Sequence, residues 1–308
     1  MFSKSYHWVV TGGAGFVGSH LVQELIRLGQ QVTVLDNLSG GNMQNLEPAG
    51  PQARFVKADV CRFAGLTDLL QGVDYVVHLA AQVSVAQSVQ EPEQTMRINV
   101  QGTENILEAA LQAGVKKVVF ASSSAVYGNG TDWPYKEGAP LEFKSPYALS
   151  KYLGEKLCRH YTEVFGLHAV ILRGFNVFGP RQNAQASYAA VVAKFMQAAR
   201  EKLPLFIDGD GTQQRDFVHI KDVVQANLLA VLKGNAGEAY NVGSGKACSL
   251  LELAALIEQI TGQKLERKFG PRRAGDLDVS CADISKLKTL GYKPSVSLED
   301  GLRQMWLQ

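Results

Sequence analysis

The stretch from His7 to His20 constrains this chain most. An apolar strand-like run ends at Thr11, glycines follow at 12, 13, 15 and 18, and an amphipathic segment extends from Phe16 to Leu28. The pattern predicts a strand, a tight turn and a helix. Glycines without Cβ atoms let the turn approach a pyrophosphate, and the helix that starts near Gly15 aims free N–H groups and its positive dipole end at the same place. A glycine-rich surface turn would share the spacing. Its neighbours argue otherwise, because Gln31 to Asp36 reads as a second strand whose last residue is an acid about 20 residues beyond the turn. A carboxylate there accepts hydrogen bonds from ribose hydroxyls and repels a 2′-phosphate, which predicts NAD over NADP. The candidate cofactor residues in this region are Gly12, Gly15, Phe16, Val17, Asp36 and Asn37.

With 308 residues the chain can bury a large core, either as one domain or as a domain with a smaller companion. Its formal charge of +2 is spread without basic blocks, so neither nucleic acid nor a membrane surface is an expected partner. Cys61, Cys158, Cys248 and Cys281 are far apart, with no C-x-x-C and no interleaved histidine. Reduced thiols and no metal site are expected. The first strand starts within seven residues of Met1 and no apolar run nears membrane-span length, so the expectation is a soluble, cytoplasmic protein.

Up to about Val170, short apolar runs alternate with helical patterns, as a parallel sheet with crossover helices requires. Strands are predicted at Trp8–Thr11, Val32–Asp36, Arg54–Ala58, Tyr75–Leu79, Lys117–Ala121 and His168–Leu172. Predicted helices span Phe16–Leu28, Gly65–Leu70, Glu93–Ala113 and Tyr147–Phe165. Beyond Arg173 irregular stretches separate helices near Tyr188–Arg200, Lys221–Leu232 and Leu250–Ile260. The expected fold class is α/β: a Rossmann-type doubly wound parallel sheet over residues 1–173, with a smaller C-terminal substrate-binding lobe over 174–308, some of whose segments return to the first domain.

Ser145-Pro146-Tyr147-Ala148-Leu149-Ser150-Lys151 carries the candidate chemistry. Ser145 suits an N-cap and Pro146 the first helical position, which puts Tyr147 and Lys151 one turn apart on one face. An ammonium there, with a nicotinamide cation, is expected to lower the phenol pKa toward neutrality. A surface helix pair would look the same in isolation, but the strand from Lys117 ends in Ser122-Ser123-Ser124, placing hydroxyls at the sheet's carboxyl edge. A hydroxyl there can bond a substrate oxygen.

Together the glycine turn, Asp36, Asp59-Val60, His78-Leu79-Ala80-Ala81, Asn99, the serine run, Tyr147 with Lys151, Arg173 to Gln182, Gly209 to His219 and Arg273-Ala274-Gly275-Asp276 resemble the extended short-chain dehydrogenase/reductase family, particularly its nucleotide-sugar epimerases and dehydratases. The resemblance covers nearly the whole chain. It implies Ser123, Tyr147 and Lys151 as the catalytic set, with Lys151 also holding the nicotinamide ribose. It further implies cofactor contacts from Asp59, Val60, Leu79, Ala80, Ala81 and Asn99, and substrate contacts from Ser84, Ser123, Ser124, Tyr147, Asn176, Gln182, Ala190, Arg215, Arg273, Asp276 and Ser280. Guanidinium forks suit a diphosphate. His78 reads as a structural histidine.

Related 4,6-dehydratases carry an Asp-Glu pair after the catalytic Ser/Thr, and related decarboxylases a glutamate; here Ser124 and Ala125 stand in those places. The remaining set suits a 4-epimerase that moves a hydride from C4 to NAD and back through a 4-keto sugar, with enzyme-bound NADH. Ser280 falls where members restricted to non-acetylated sugars place a tyrosine, so UDP-GlcNAc/UDP-GalNAc is the expected pair, with UDP-glucose/UDP-galactose also admitted. The alternatives are a UDP-glucose-only epimerase, another NDP-sugar reductase or dehydratase, and a non-catalytic NAD-sensing module. Relatives pair through the helices corresponding to Glu93–Ala113 and Tyr147–Phe165, which implies a homodimer.

Overall fold

A computed structural model describes residues 4–130, 132–184, 190–272 and 277–307. Strand β1 (His7–Thr11) leads through the glycine turn into α1 (Phe16–Arg27), then β2 (Gln31–Asp36), β3 (Ala53–Lys57), α2 (Leu66–Leu70) and β4 (Tyr75–His78). Short helices α3 (Val85–Gln90) and α4 (Pro92–Met96) precede α5 (Gly102–Gln112), β5 (Lys117–Ser123), α6 (Pro146–Phe165) and β6 (Ala169–Gly174). The second half holds β7 (Asn176–Phe178), α7 (Val191–Glu201), β8 (Leu205–Asp208), β9 (Gln214–His219), α8 (Ile220–Lys233), β10 (Ala239–Val242), β11 (Ala247–Ser249), α9 (Leu250–Thr261), β12 (Arg267–Gly270), β13 (Val279–Ser280), α10 (Ser285–Thr289) and α11 (Leu298–Trp306).

Seven parallel strands form the main sheet in the order β10-β6-β5-β4-β1-β2-β3. Strand order reverses between β1 and β4, so a crevice opens at their carboxyl ends, where ligands of such sheets bind. Core residues flank the sheet on both faces. Trp8, Val10, Val34 and Val119 pack with α1 and α8, whereas Val9, Val76, Val118 and Ile171 pack with α5 and α6. A third cluster, including Phe178, Phe195, Leu253 and Leu302, is built from residues of the second half of the chain.

The sheet strands fall within one or two residues of their predicted bounds. Three details differ. The helix expected over Glu93–Ala113 is split into α4 and α5 by a wide π turn at Arg97–Gln101, which includes Asn99. Ile106 and Leu107, on the first of the two helices through which a homodimer is expected, are fully buried core residues. β10 was not predicted, and it returns from the second half to extend the main sheet beside β6. Among the described residues, no helix is long and apolar enough to cross a membrane.

Candidate active site at the carboxyl edge of the sheet

The glycine turn is built for close approach. Gly12 has φ +66, and a Cβ there would lie 2.8 Å from the Ala80 nitrogen; a Cβ at Gly18 would lie 2.3 Å from the Gly12 carbonyl oxygen. Gly15 is the N-cap of α1 and offers no side-chain cap, so the first-turn N–H groups of Phe16 and Val17 are left for an anion. Asp36 ends β2 buried, its Oδ2 accepting from the Ala14 N–H at 3.0 Å and its Oδ1 from the Leu38 N–H at 2.8 Å. A carboxylate has further lone pairs for two ribose hydroxyls. Beyond it lies a cleft of about 690 Å³ lined by Asn37, Asp59, Arg62 and Leu66. The Cys61 N–H holds the Asp59 carboxyl below its usual range, with help from Asn37. Val60, expected at the same end, turns its side chain into the core against Gly102. These features fit a dinucleotide laid across the turn.

A buried polar relay fixes the opposite wall. Thr11 Oγ1 lies 2.7 Å from His78 Nδ1, and His78 Nε2 lies 3.1 Å from Thr103 Oγ1, whose hydroxyl donates to the Asn99 carbonyl at 2.6 Å. Since Thr103 spends its proton on Asn99, His78 donates through Nε2 and is neutral; burial drives its pKa down to about 3. His78 is structural, as its strand position implied. The Ala80 N–H donates to Thr11 Oγ1 at 3.2 Å, which seats Leu79, Ala80 and Ala81 against Gly12. Asn99 is a strut: its Oδ1 accepts from the Gln82 N–H, and its Nδ2 donates to the Gln82 carbonyl and Ser150 Oγ. With those atoms committed and the residue buried, it holds the turn from behind.

Ser145 caps α6, accepting from the Ala148 N–H, and Pro146 takes the first position, as predicted. The Tyr147 N–H donates to Ser88 Oγ at 3.1 Å. Burial pushes the Tyr147 phenol up, and the nearby Ser123 hydroxyl opposes that shift. Lys151 Nζ donates to the Ala121 carbonyl at 2.8 Å and lies 5.9 Å from the Tyr147 ring centroid. Burial lowers its pKa to about 8. The lowering of the phenol expected from Lys151 is therefore overridden by burial in the chain alone. The set is nevertheless assembled: Ser123 closes β5, and Tyr147 and Lys151 face it from α6.

Three substrate candidates lie on a second, four-stranded sheet made of β7, β9, β11 and β13. β9 carries Arg215, in register with Ser280 of β13, and pairs with β7, which carries Asn176. Ser280 is buried; Arg215 Nη1 donates to the Gln214 carbonyl; Asn176 Nδ2 donates to the Asp216 carbonyl at 3.3 Å. Ser84 caps α3, Ser124 opens the helical turn after Ser123, and Ala190 precedes α7. Gln182 donates to the Val177 carbonyl at 2.9 Å, and its buried Oε1 has no hydrogen-bond partner among the described residues. Arg273 and Asp276 lie outside the described residues.

Residues 8–243 match the profile of the NAD dependent epimerase/dehydratase family. The chain belongs to this family. It is 40% identical over 300 residues to the UDP-glucose 4-epimerase of Mycolicibacterium smegmatis, covering 96% of this chain and 95% of that one. Among solved structures, it resembles a UDP-N-acetylglucosamine 4-epimerase from Methanobrevibacter ruminantium in complex with UDP-N-acetylmuramic acid (TM-score 0.95, 39% identity, 99% and 98% of the two chains). A UDP-glucose 4-epimerase from Thermotoga maritima with UDP-glucose gives a TM-score of 0.94 at 38% identity, over 98% and 97% of the chains. The cofactor of the family is NAD, in keeping with Asp36 and the glycine turn.

One residue of this family member's site escaped the sequence reading. Asp216 is fully buried on β9 between Arg215 and Phe217. Its Oδ1 accepts from the Ser244 N–H and hydroxyl, and its Oδ2 from the Gly245 and Ala282 N–H groups. It ties the loop after β10 and the segment after Ser280 to the strand that bears Arg215. An acid between an arginine and a phenylalanine gives no local sign of this role, since all its partners lie more than 25 residues away.

Proposed function

We propose that the chain interconverts the C4 epimers of a UDP-hexose, favouring UDP-GlcNAc and UDP-GalNAc and also accepting UDP-glucose and UDP-galactose. The observation that carries this reading is the placement of Ser123 at the end of β5 beside the Tyr147 phenol, with Lys151 one turn on along α6 and Ser124 and Ala125 following Ser123. Reversible hydride transfer needs one base and one hydroxyl donor, whereas elimination of water needs a further acid and base. NAD, when bound, accepts the C4 hydride and returns it.

In this reading Tyr147 takes the proton of the C4 hydroxyl, and Ser123 holds the same oxygen. The phenol begins with a raised pKa, so positive charge close by favours its ionisation; Lys151 supplies part of it and holds the nicotinamide ribose. Asn176 and Arg215, joined by Arg273 and Asp276, hold the diphosphate while the 4-keto sugar presents its other face. Ser280 beside Arg215 leaves room for an N-acetyl group where a phenol ring would fill the space. We further propose the pairing of two chains through α5 and α6, where Val164 and Phe165 are exposed at the end of α6.

The test is incubation of the purified chain with UDP-GlcNAc and, separately, UDP-glucose, with no cofactor added, and chromatography of the products. Formation of UDP-GalNAc supports the reading. Galactose product alone refutes the N-acetyl preference. No conversion with NAD⁺ supplied refutes the epimerase.

A further inference from the structure

Behind the candidate site lies a buried ion pair that the reaction itself does not require. Glu155 is fully buried on α6, one turn past Lys151 and two past Tyr147, on the same face of the helix. Its Oε1 accepts from Ser122 Oγ at 2.6 Å and from Arg173 Nε at 2.8 Å, and its Oε2 accepts from Arg173 Nη2 at 2.7 Å. Arg159 Nη2 adds a longer contact of 3.4 Å. Ser122 and Arg173 are register partners on β5 and β6. One carboxylate thus fastens α6 to two adjacent strands at a single point. Arg173 Nη1 continues to the Tyr127 hydroxyl at 3.0 Å, and Tyr127 donates to Asn241 Oδ1 at 2.6 Å. Asn241 Nδ2 in turn donates to the carbonyls of Tyr135 and Asp283.

Stability alone is a poor reason for such a pair, because well-packed apolar side chains in place of buried ions are often neutral or stabilising. Its placement suggests another. Ser122 immediately precedes Ser123, and Glu155 shares its helix with Tyr147 and Lys151. We infer that Glu155 is a positioning residue for the reaction, with Arg173 as its counter-ion: through Ser122 it sets the distance and angle between the Ser123 hydroxyl and the Tyr147 phenol. Without that link, the polar tie between β5 and α6 near the site among the described residues is the Lys151 contact to the Ala121 carbonyl, and the packing of Phe120 against Gly154 and Lys151 lies further back along the strand. Small misplacements of reacting groups carry large kinetic costs.

The inference rests on the roles proposed above for Ser123 and Tyr147. The test compares Ser122→Ala, Glu155→Gln and the double variant, with kcat and KM measured well below each thermal midpoint and bound NAD quantified. Ser122→Ala removes the link and leaves the ion pair intact. The expected result is a fall in kcat of about tenfold in each single variant, KM within about twofold, and a double variant no slower than Glu155→Gln alone. Wild-type kcat in Ser122→Ala, losses that multiply, or a change in KM alone would overturn the inference. If Glu155→Gln does not fold, Ser122→Ala decides. A wild-type chain that converts no UDP-sugar refutes the functional reading and this inference with it; an active wild type with an unaffected Ser122→Ala refutes the inference alone.

Discussion

Replacing Gly18 with alanine asks whether the cofactor turn is closed by contact or by backbone freedom. Gly18 sits in the first turn of α1 with ordinary helical backbone, so alanine meets no conformational barrier and gains about 1 kcal/mol in helix propensity. The obstacle is steric. Its Cβ would lie 2.3 Å from the Gly12 oxygen and 2.6 Å from the Gly13 Cα, both backbone atoms. Ordinary contact begins near 3.4 Å, so α1 must retreat about 1 Å from the turn. Overpacking of this kind costs about 1–3 kcal/mol, or about 2–4 °C in Tm for each kcal/mol. The larger effect falls on NAD, since the N–H groups that face the pyrophosphate move with the helix. Gly29→Ala is the control: its φ is +71 with nothing within 4 Å, so it costs about 1–2 kcal/mol of stability and leaves NAD content unchanged. NAD released on denaturation is quantified per chain, alongside thermal melts. A Gly18→Ala protein with wild-type NAD content and midpoint would refute the contact argument.

Tyr147→Phe is expected to lower kcat by about 10²–10⁴ while NAD stays bound; unchanged turnover would remove Tyr147 from the chemistry. Ser280→Tyr should cut the kcat/KM ratio of UDP-GlcNAc to UDP-glucose by about a hundredfold, and an unchanged ratio would show that Ser280 does not face the sugar. Asp216→Ala strands four donors and should cost about 3 kcal/mol by denaturant titration; a loss under about 1 kcal/mol would mean that water replaces the carboxylate. Burial holds the pKa of His78 near 3 and that of His219 near 4, below the unfolded value of 6.5. Unfolding therefore takes up protons below pH 6.5, and stability falls as pH drops, by about 1.4 kcal/mol for each group at pH 5.5. A flat Tm between pH 7.5 and 5.5 would contradict this.

Local chemistry was legible wherever it was contiguous. The turn after Thr11, the acid closing β2 and the Ser145-Pro146 start of α6 each depend on neighbours in sequence, and each stands as expected. What pairs across long separations was not. β10 joins β6 from more than 60 residues away, and nothing in Ala239–Val242 marks which strand it meets. Glu155, Arg173 and Ser122 sit in three different elements, so their shared carboxylate contact has no signature in any of them. Asp216 was hidden for the same reason. Asn99 was named through the resemblance alone, and its long-range partners had no local sign: in a π turn its amide meets the Gln82 backbone and Ser150.

The fate of the hydrogen at C4 tests the central claim most directly. UDP-GlcNAc carrying deuterium at C4 is incubated with the purified chain, and the UDP-GalNAc formed is examined by mass spectrometry and NMR; a parallel run uses unlabelled substrate in D₂O. Hydride transfer to bound NAD and back predicts deuterium retained at C4 of the product, with none gained from D₂O. Loss of the label to solvent, or its uptake from D₂O, would contradict the account, because it would place a proton abstraction at carbon where Ser123, Tyr147 and Lys151 are proposed to move only the proton on oxygen.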